Sequence, residues 1–393
     1  MKHNFTLTKM KRMKNGKREN DKSYVWYYYV WDSDGKRRKY STGLTRGITE
    51  AQNYCEALLK KGKLIPQRHN KAFFRTLVKD FYDPQKSPYL REKRTRGAEI
   101  SKSSLNIASL IFKNHILPFF GDMLVSSITK RDIEEWVGYL KGKKISNRTI
   151  NNYLAYLKQI FHYLKSIEVV STEPTEGYVL SIPAKRVRDI LTDNEVKDLM
   201  NEASIDSYWQ GNRKMYLANL ISCLTGMRIA EIYALKEENI NENFINITHS
   251  FNPYDGLKPP KNGKPRKVPI PRRLYEMLKE IFPKDKGFIF LDNGKPDFES
   301  KPRRFLYDAL AIMGISEKER KERNICFHSW RHWFNSKLVR SNINSSKIKK
   351  VIGHTEKGND MTSLYTHFFA EDFQDIVEIQ TEILESFRER EVA

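Results

Sequence analysis

Cysteine is scarce: Cys55, Cys223 and Cys326 are the three in 393 residues. An odd number so widely separated excludes a disulfide framework, and no pair sits at zinc-ligand spacing. Long apolar runs are missing too, since none approaches the roughly 20 residues of a membrane-spanning helix. The basic opening MKHNFTLTKMKRMKNGKREN lacks the apolar stretch of a secretion signal. A protein of the reducing cytoplasm is expected, with no membrane partner, no metal and no cofactor. Acidic residues are too few to balance the basic ones: 48 Asp+Glu against 70 Lys+Arg leave a formal charge of +22 and a pI near 9.6. Such an excess favours a polyanionic partner, nucleic acid first, although an acidic membrane surface or simple solubility would also account for it. Motifs have to decide.

The length suits two or three domains, each able to bury a core. Residues 1–66 read as a small basic α+β module. Its strands are NFTLTKM, then Ser23 to Trp31, then Lys36 to Thr42, with β-branched and aromatic residues dominating the middle run. Asp32-Ser33-Asp34-Gly35 supplies turn chemistry, and Thr49-Glu50-Ala51-Gln52 resembles a capping box opening a helix that Gly62 could close. Trp26, Tyr28 and Val30 form the core face of the predicted three-stranded sheet. Arg37, Arg38 and Lys39 are less easily buried and are candidate nucleic-acid contacts. About half of the excess positive charge precedes residue 70, so this module carries a disproportionate share.

Residues 70–173 have helical periods and little strand character. Phe73, Leu77 and Phe81 recur at four-residue spacing; Leu105, Ser109, Phe112 and Ile116 continue the pattern; Ile133, Trp136, Val137 and Leu140 give a third stripe. Thr129 to Asp132 can cap the third helix, and Asn147 to Leu164 is a fourth, with Ile150, Leu154, Leu157, Phe161 and Leu164 on one face. An all-α bundle of four or five helices follows. The basic loop Arg91 to Arg96 and the residues Lys102, Arg148 and Lys158 could meet phosphates, against the blander reading of a solvated charged face. Residues 174–188 lack a clear period and read as a linker. A last domain, 189–393, opens on the capping-box match Thr192-Asp193-Asn194-Glu195 and alternates helical patterns with one β-like stretch, Ile245 to Ile270.

Four fragments in this last domain carry chemistry together. They are Leu224-Thr225-Gly226-Met227-Arg228-Ile229-Ala230-Glu231, then Lys258 to Ile270 (KPPKNGKPRKVPI), then His328-Ser329-Trp330-Arg331-His332, and last Ile352-Gly353-His354 followed by Tyr365-Thr366-His367. Each alone is weak. In this order they resemble the tyrosine recombinase, or phage integrase, family, whose catalytic domain has an arginine box TGxRxxE, a β-hairpin lysine, HxxR, GH and a terminal tyrosine. The match spans Leu191 to Phe369. The layout before it resembles integrases of phages and conjugative transposons, with an arm-binding module, a helical core-binding domain and a mainly α catalytic domain with a small β-sheet, as in type IB topoisomerases.

Breaking a phosphodiester without metal needs a nucleophile, a proton donor for the leaving alkoxide, and cations to hold the charge of the transition state. Arg228 and Arg331 have guanidinium forks that suit two non-bridging oxygens. The resemblance implies that His328 and His354 donate hydrogen bonds to the same phosphate, that Lys261 protonates the leaving 5′ oxygen, and that Tyr365 attacks to form a 3′-phosphotyrosyl link. It makes Glu231 the residue that orients Arg228, where spacing alone allows a plain salt bridge three residues along. His328 and His332, four apart, could also suggest a metal pair, but no Glu-containing zinc motif accompanies them, and His332 reads as structural. The hairpin lacks the family's usual threonine beside its lysine, leaving Lys258 and Lys264 as rivals to Lys261, and the stretch from His354 to Tyr365 is longer than is common.

The implied partners are double-stranded DNA at core and arm sites, a homotetramer on two duplexes passing through a Holliday junction, an excisionase and a DNA-bending host protein, in a prokaryotic cytoplasm. Two rivals stay open. One is a type IB topoisomerase, disfavoured by the accessory module and C-terminal tail; the other is a catalytically silent DNA-binding protein, disfavoured by the complete residue set. Asp372 to Phe387 places Ile376, Ile379, Ile383 and Phe387 on one helical stripe. Periodicity leaves packing on its own domain open, whereas the resemblance implies docking on a neighbouring protomer.

Overall fold

A computed structural model describes the chain except residues 1–4, 12, 15–16, 19–23, 32–36, 46, 61–63, 65–71, 184–188, 261–263, 285–286, 293–294, 297–300, 355–370 and 389–393. It divides into two compact units, 1–184 and 185–393.

The first unit begins with strands β1 (Thr6–Lys11), β2 (Met13–Lys14), β3 (Lys17–Arg18), β4 (Tyr24–Trp31) and β5 (Arg37–Ser41). The predicted sheet forms with β4 central and both pairings antiparallel, and β2 pairs with β3 in an additional short hairpin. Alternation along β4 sends Tyr28 and Val30 toward helix α1 (Ile48–Lys60), where they meet Phe5, Cys55 and Leu64 in a small core. Trp26 is only half-buried. Helix α1 starts one residue before Thr49, with the Ala51 amide donating to the Gly47 carbonyl, so Thr49 lies inside the first turn and is not its cap.

Six helices of the same unit surround a separate core: α2 (Phe74–Val78), α3 (Pro88–Thr95), α4 (Lys102–Ile111), α5 (Leu117–Phe120), α6 (Lys130–Gly142) and α7 (Asn147–Ser166). The predicted stripes of α6 and α7 are buried throughout. In α2 the buried face is Phe74 and Val78, one residue beyond the predicted Phe73 and Leu77, and Phe73 is exposed. The stretch Arg91 to Arg96 is largely helical, not a loop. A π-turn (Phe112–Ile116) joins α4 to α5 just before Pro118, which has no N–H to donate into the preceding turn. Thr129 caps α6 as predicted, its backbone amide donating to Asp132 at 2.7 Å. The predicted linker is shortened from its N-terminal side. Asn151 brackets Leu180, donating to its carbonyl and accepting from its amide, and Asn147 donates to the Ser181 carbonyl.

The second unit is built around α9 (Arg213–Thr225), buried on every side from Met215 onward. Before it, Thr192 and Glu195 close the predicted capping box of α8 (Asp193–Leu199). Arg323 grips Glu195 with both terminal nitrogens and also bonds Asp189 and the Ile190 carbonyl, fixing where the chain enters this unit. After α10 (Ile229–Tyr233), the predicted β stretch resolves into two antiparallel pairs. Strand β6 (Phe244–Ile247) pairs with β9 (Arg266–Pro269), and β7 (Ser250–Asn252) with β8 (Gly256–Lys258). Helices α11 (Arg272–Lys279), α12 (Lys301–Ile312), α13 (Glu317–Glu322), α14 (Ser329–Arg340), α15 (Ser345–Ile352) and α16 (Gln374–Glu385) follow, with a small hairpin, β10 (Leu291–Asp292) and β11 (Lys295–Pro296), after α11.

Of the two placements left open for the C-terminal stripe, helix α16 in the single chain takes the one on its own unit. Ile376, Ile383, Leu384 and Phe387 join the core, and Gln380, fully buried, donates to the carbonyls of Leu224 and Pro269 at 2.8 and 2.9 Å. Those two carbonyls lie near the ends of α9 and β9, so one amide ties three elements together.

Candidate active site

Helix α9 must stop abruptly for Arg228 to be presented. Gly226 does this in the left-handed region (φ 65), and a Cβ there would lie 3.2 Å from Ile352 and 3.4 Å from Phe334. Arg228 then stands at the N-terminus of α10. Its backbone amide and its Nη1 both donate to Glu231 at 2.9 Å, and its Nη2 donates to the Gly353 carbonyl at 3.1 Å.

Glu231 is 1 % exposed. A carboxylate so buried is costly unless its oxygens are fully paired. A second arginine completes the pairing: Arg266 donates Nη1 and Nη2 to the two Glu231 oxygens at 3.0 and 2.7 Å, and Nε to the Val351 carbonyl at 2.9 Å. Burial alone would raise the Glu231 pKa, but the hydrogen bonds and charge of Arg266, followed by those of Arg228, outweigh it and hold the carboxyl below its ordinary range.

Arg331, on α14, is 2 % exposed, donates Nη1 to the Gly226 carbonyl at 2.8 Å, and keeps a buried Nη2 without a hydrogen-bond partner among the described residues. Burial, then the charges of Arg228 and Arg266, push its pKa down to about 9, so it remains protonated at neutral pH. His354 follows the left-handed Gly353 (φ 67) that ends α15. Desolvation and the nearby charges of Arg331, Arg228, His332 and Arg266 lower its pKa, favouring the neutral imidazole. His328 stands at the start of α14 with its ring edge-on to that of His332, centroids 5.0 Å apart. Arg228 with Glu231, Arg331 and His354, from three separate stretches of the sequence, are thus drawn together, and His328 adjoins them through His332. Among the described residues no group of three or more His, Cys, Asp or Glu could hold a metal ion.

Lys261 and Tyr365 lie outside the described residues. Of the rival lysines, Lys258 is paired with Asp255 at 2.9 Å within its hairpin, and Lys264 is exposed. Arg266 was missed as a site residue by sequence reasoning, which read it only as part of the fragment Lys258 to Ile270. The sequence offered no local signal for it, because its partner Glu231 lies 35 positions away.

The basic candidates of the first unit separate. Strand alternation puts Arg37 and Lys39 on the sheet face away from α1, where Arg37 lies 4.3 Å from the Tyr29 ring and Lys39 5.2 Å from the Tyr27 ring. Arg38 points to the other face beside Val30. Lys102 and Arg148 are exposed near the starts of α4 and α7, whereas Lys158 is half-buried. Ten residues apart on α7, Arg148 and Lys158 point roughly 80° away from each other.

The profile described as the phage integrase family matches residues 189–372, and that of the phage integrase N-terminal SAM-like domain matches residues 88–141. The chain is 25 % identical over 252 residues to a tyrosine recombinase of Thermosipho africanus, covering 62 % of this chain and 81 % of that one. It is 24 % identical over 365 residues to the prophage ps2 probable integrase of Lactococcus lactis, covering 84 % and 90 %. Among solved structures, the Tn1549 transposon integrase in complex with a circular intermediate DNA shares the fold, with a TM-score of 0.56 at 22 % identity over 74 % of this chain and 97 % of that chain.

Proposed function

The chain belongs to the phage integrase family of tyrosine recombinases, and from that premise we propose how its residues divide the work of a site-specific DNA strand-exchange enzyme. Arg228 and Arg331 clamp the scissile phosphate, and His328 and His354 hydrogen-bond its oxygens. The Tyr365 oxygen attacks phosphorus as its phenolic proton passes to water, the bond from phosphorus to the 5′ oxygen breaks, and Lys261 gives that oxygen a proton. The phosphate is left joined to tyrosine at a 3′ end. Attack by a 5′ hydroxyl reverses the step, so no external energy source is needed for rejoining.

The observation that carries this reading is the state of Arg331. Its buried Nη2, unpaired among the described residues, lies in a cluster where Glu231 is already matched by Arg228 and Arg266, so no other acid of the described residues is left to satisfy the remaining positive charge. A desolvated cationic donor of this kind suits an oxyanion whose charge grows in the transition state. The described residues include no helix long and apolar enough to cross a membrane.

The layout assigned to this function is an arm-DNA module over 1–66, a core-DNA bundle over 70–173 and a catalytic domain from 189. Arg37 and Lys39 are the module's best-placed DNA contacts, and Lys102 and Arg148 those of the bundle. Arg38 and Lys158 are less accessible. Four copies would act on two duplexes in a prokaryotic cytoplasm, with an excisionase and a DNA-bending protein setting direction.

A nicked suicide duplex bearing the element's core site tests the assignment. The wild-type protein should become trapped on a 3′ end, while Tyr365→Phe binds the duplex with similar affinity and forms no adduct. Trapping that persists in the Phe variant removes Tyr365 from its role.

A further inference from the structure

We propose that Arg266 is a positioning residue for strand cleavage, holding Glu231 and Arg228 in register with the Gly353–His354 segment. The inference rests on the reading of the site given above. Its basis is a closed ring of hydrogen bonds: Arg228 to Glu231, Arg266 to Glu231 through two nitrogens, Arg266 to the Val351 carbonyl, and Arg228 to the Gly353 carbonyl. Each partner comes from a different element: Glu231 from α10, Arg266 from β9, Val351 from α15.

Arg266 itself is not placed to clamp phosphate. Its side chain is 7 % exposed, and Nε, Nη1 and Nη2 are all directed at protein acceptors. Its close fit depends on a missing side chain. A Cβ on Gly353 would stand 2.8 Å from Arg266 Cζ and 2.9 Å from both Nε and Nη1. The guanidinium therefore passes under Gly353, next to His354, and any displacement of β9 moves that segment and the Glu231 oxygens together.

Lysine could neutralise Glu231 but could not also reach both of its oxygens and the Val351 carbonyl, because its one ammonium lacks the planar fork. A buried ion pair is in any case weak evidence for stability, since apolar packing can often replace it. What the fork supplies here is geometry, and outer residues of this type usually cost about 10–100-fold when changed.

The full-length protein is compared with Arg266→Lys, Gly353→Ala and the double variant. Three quantities are measured: single-turnover trapping on the suicide duplex, binding to one half-site, and thermal melting. The proposal expects Arg266→Lys to cleave about 10–100-fold more slowly, with half-site affinity within about threefold. Gly353→Ala, which keeps the arginine but displaces it, should show the same split between binding and cleavage. The double variant should be no slower than the worse single one, because both changes act on one contact. Arg266→Lys cleaving at the wild-type rate overturns the proposal, as does a loss of cleavage that merely follows the melted fraction in both single variants. If the wild-type protein itself forms no adduct, the strand-cleavage reading fails first and takes the proposal with it.

Discussion

Glu195 does at the entrance of the second unit what Glu231 does at its centre. Both its oxygens accept from Arg323, at 2.7 and 2.8 Å, and one also accepts from the Thr192 amide. The Arg323 hydrogen bonds are the largest cause of a pKa lowered from 4.5 to about 2. A depressed carboxylate stabilises the fold above its unfolded pKa, and this contribution is lost as pH falls through the folded value. Glu195→Gln should therefore lower the unfolding free energy near neutral pH by about 1–3 kcal/mol, allowing for partial solvent screening. The difference from wild type should shrink between pH 4.5 and about 2, and denaturant titrations across that window measure it. A deficit that stays constant down to pH 2 would mean that the charge of Glu195 contributes nothing.

The site residues divide by how local their signal is. Arg228 and Glu231 lie within one turn, and His328 with Arg331 within another, so short motifs expose them. Arg266 meets Glu231 across 35 positions and Val351 across 85, and no spacing rule reaches that far.

Helix α16 gives the clearest prediction among the elements. Removing residues 374–393 would strip Ile376, Ile383, Leu384 and Phe387 from the second unit's core and leave the Leu224 and Pro269 carbonyls without Gln380. Each large apolar side chain lost from a core costs about 2–5 kcal/mol, so the truncated chain should lose cooperative melting and aggregate. Melting indistinguishable from the full chain would show that the cis packing is energetically idle.

Long apolar stripes made α6 and α7 legible, and paired side chains made the caps at Thr129 and Thr192 legible. Short elements were not. Helix α2, of five residues, is too brief for four-residue spacing to choose between Phe73 and Phe74, and the two-residue strands β2 and β3 carry no period at all. The side on which α16 packs was also hidden, because an amphipathic stripe states that a face is buried and not against what.

For the whole molecule the governing quantity is charge. About half of the excess positive charge precedes residue 70, and a face there displays Arg37 and Lys39 beside exposed Trp31. Deleting that part should weaken binding to arm-site DNA while sparing cleavage of a short core site. The slope of log affinity against log salt should flatten by about 0.9 for each phosphate contact removed. An unchanged affinity and slope on arm DNA would deny the module its role.

The bracket that Asn147 and Asn151 place on Leu180 and Ser181, and the grip of Arg323 on Asp189, also mark where each unit's own bonding stops. A protease cut after Ala184 would sever none of these bonds, so each fragment would keep every tether that anchors its end.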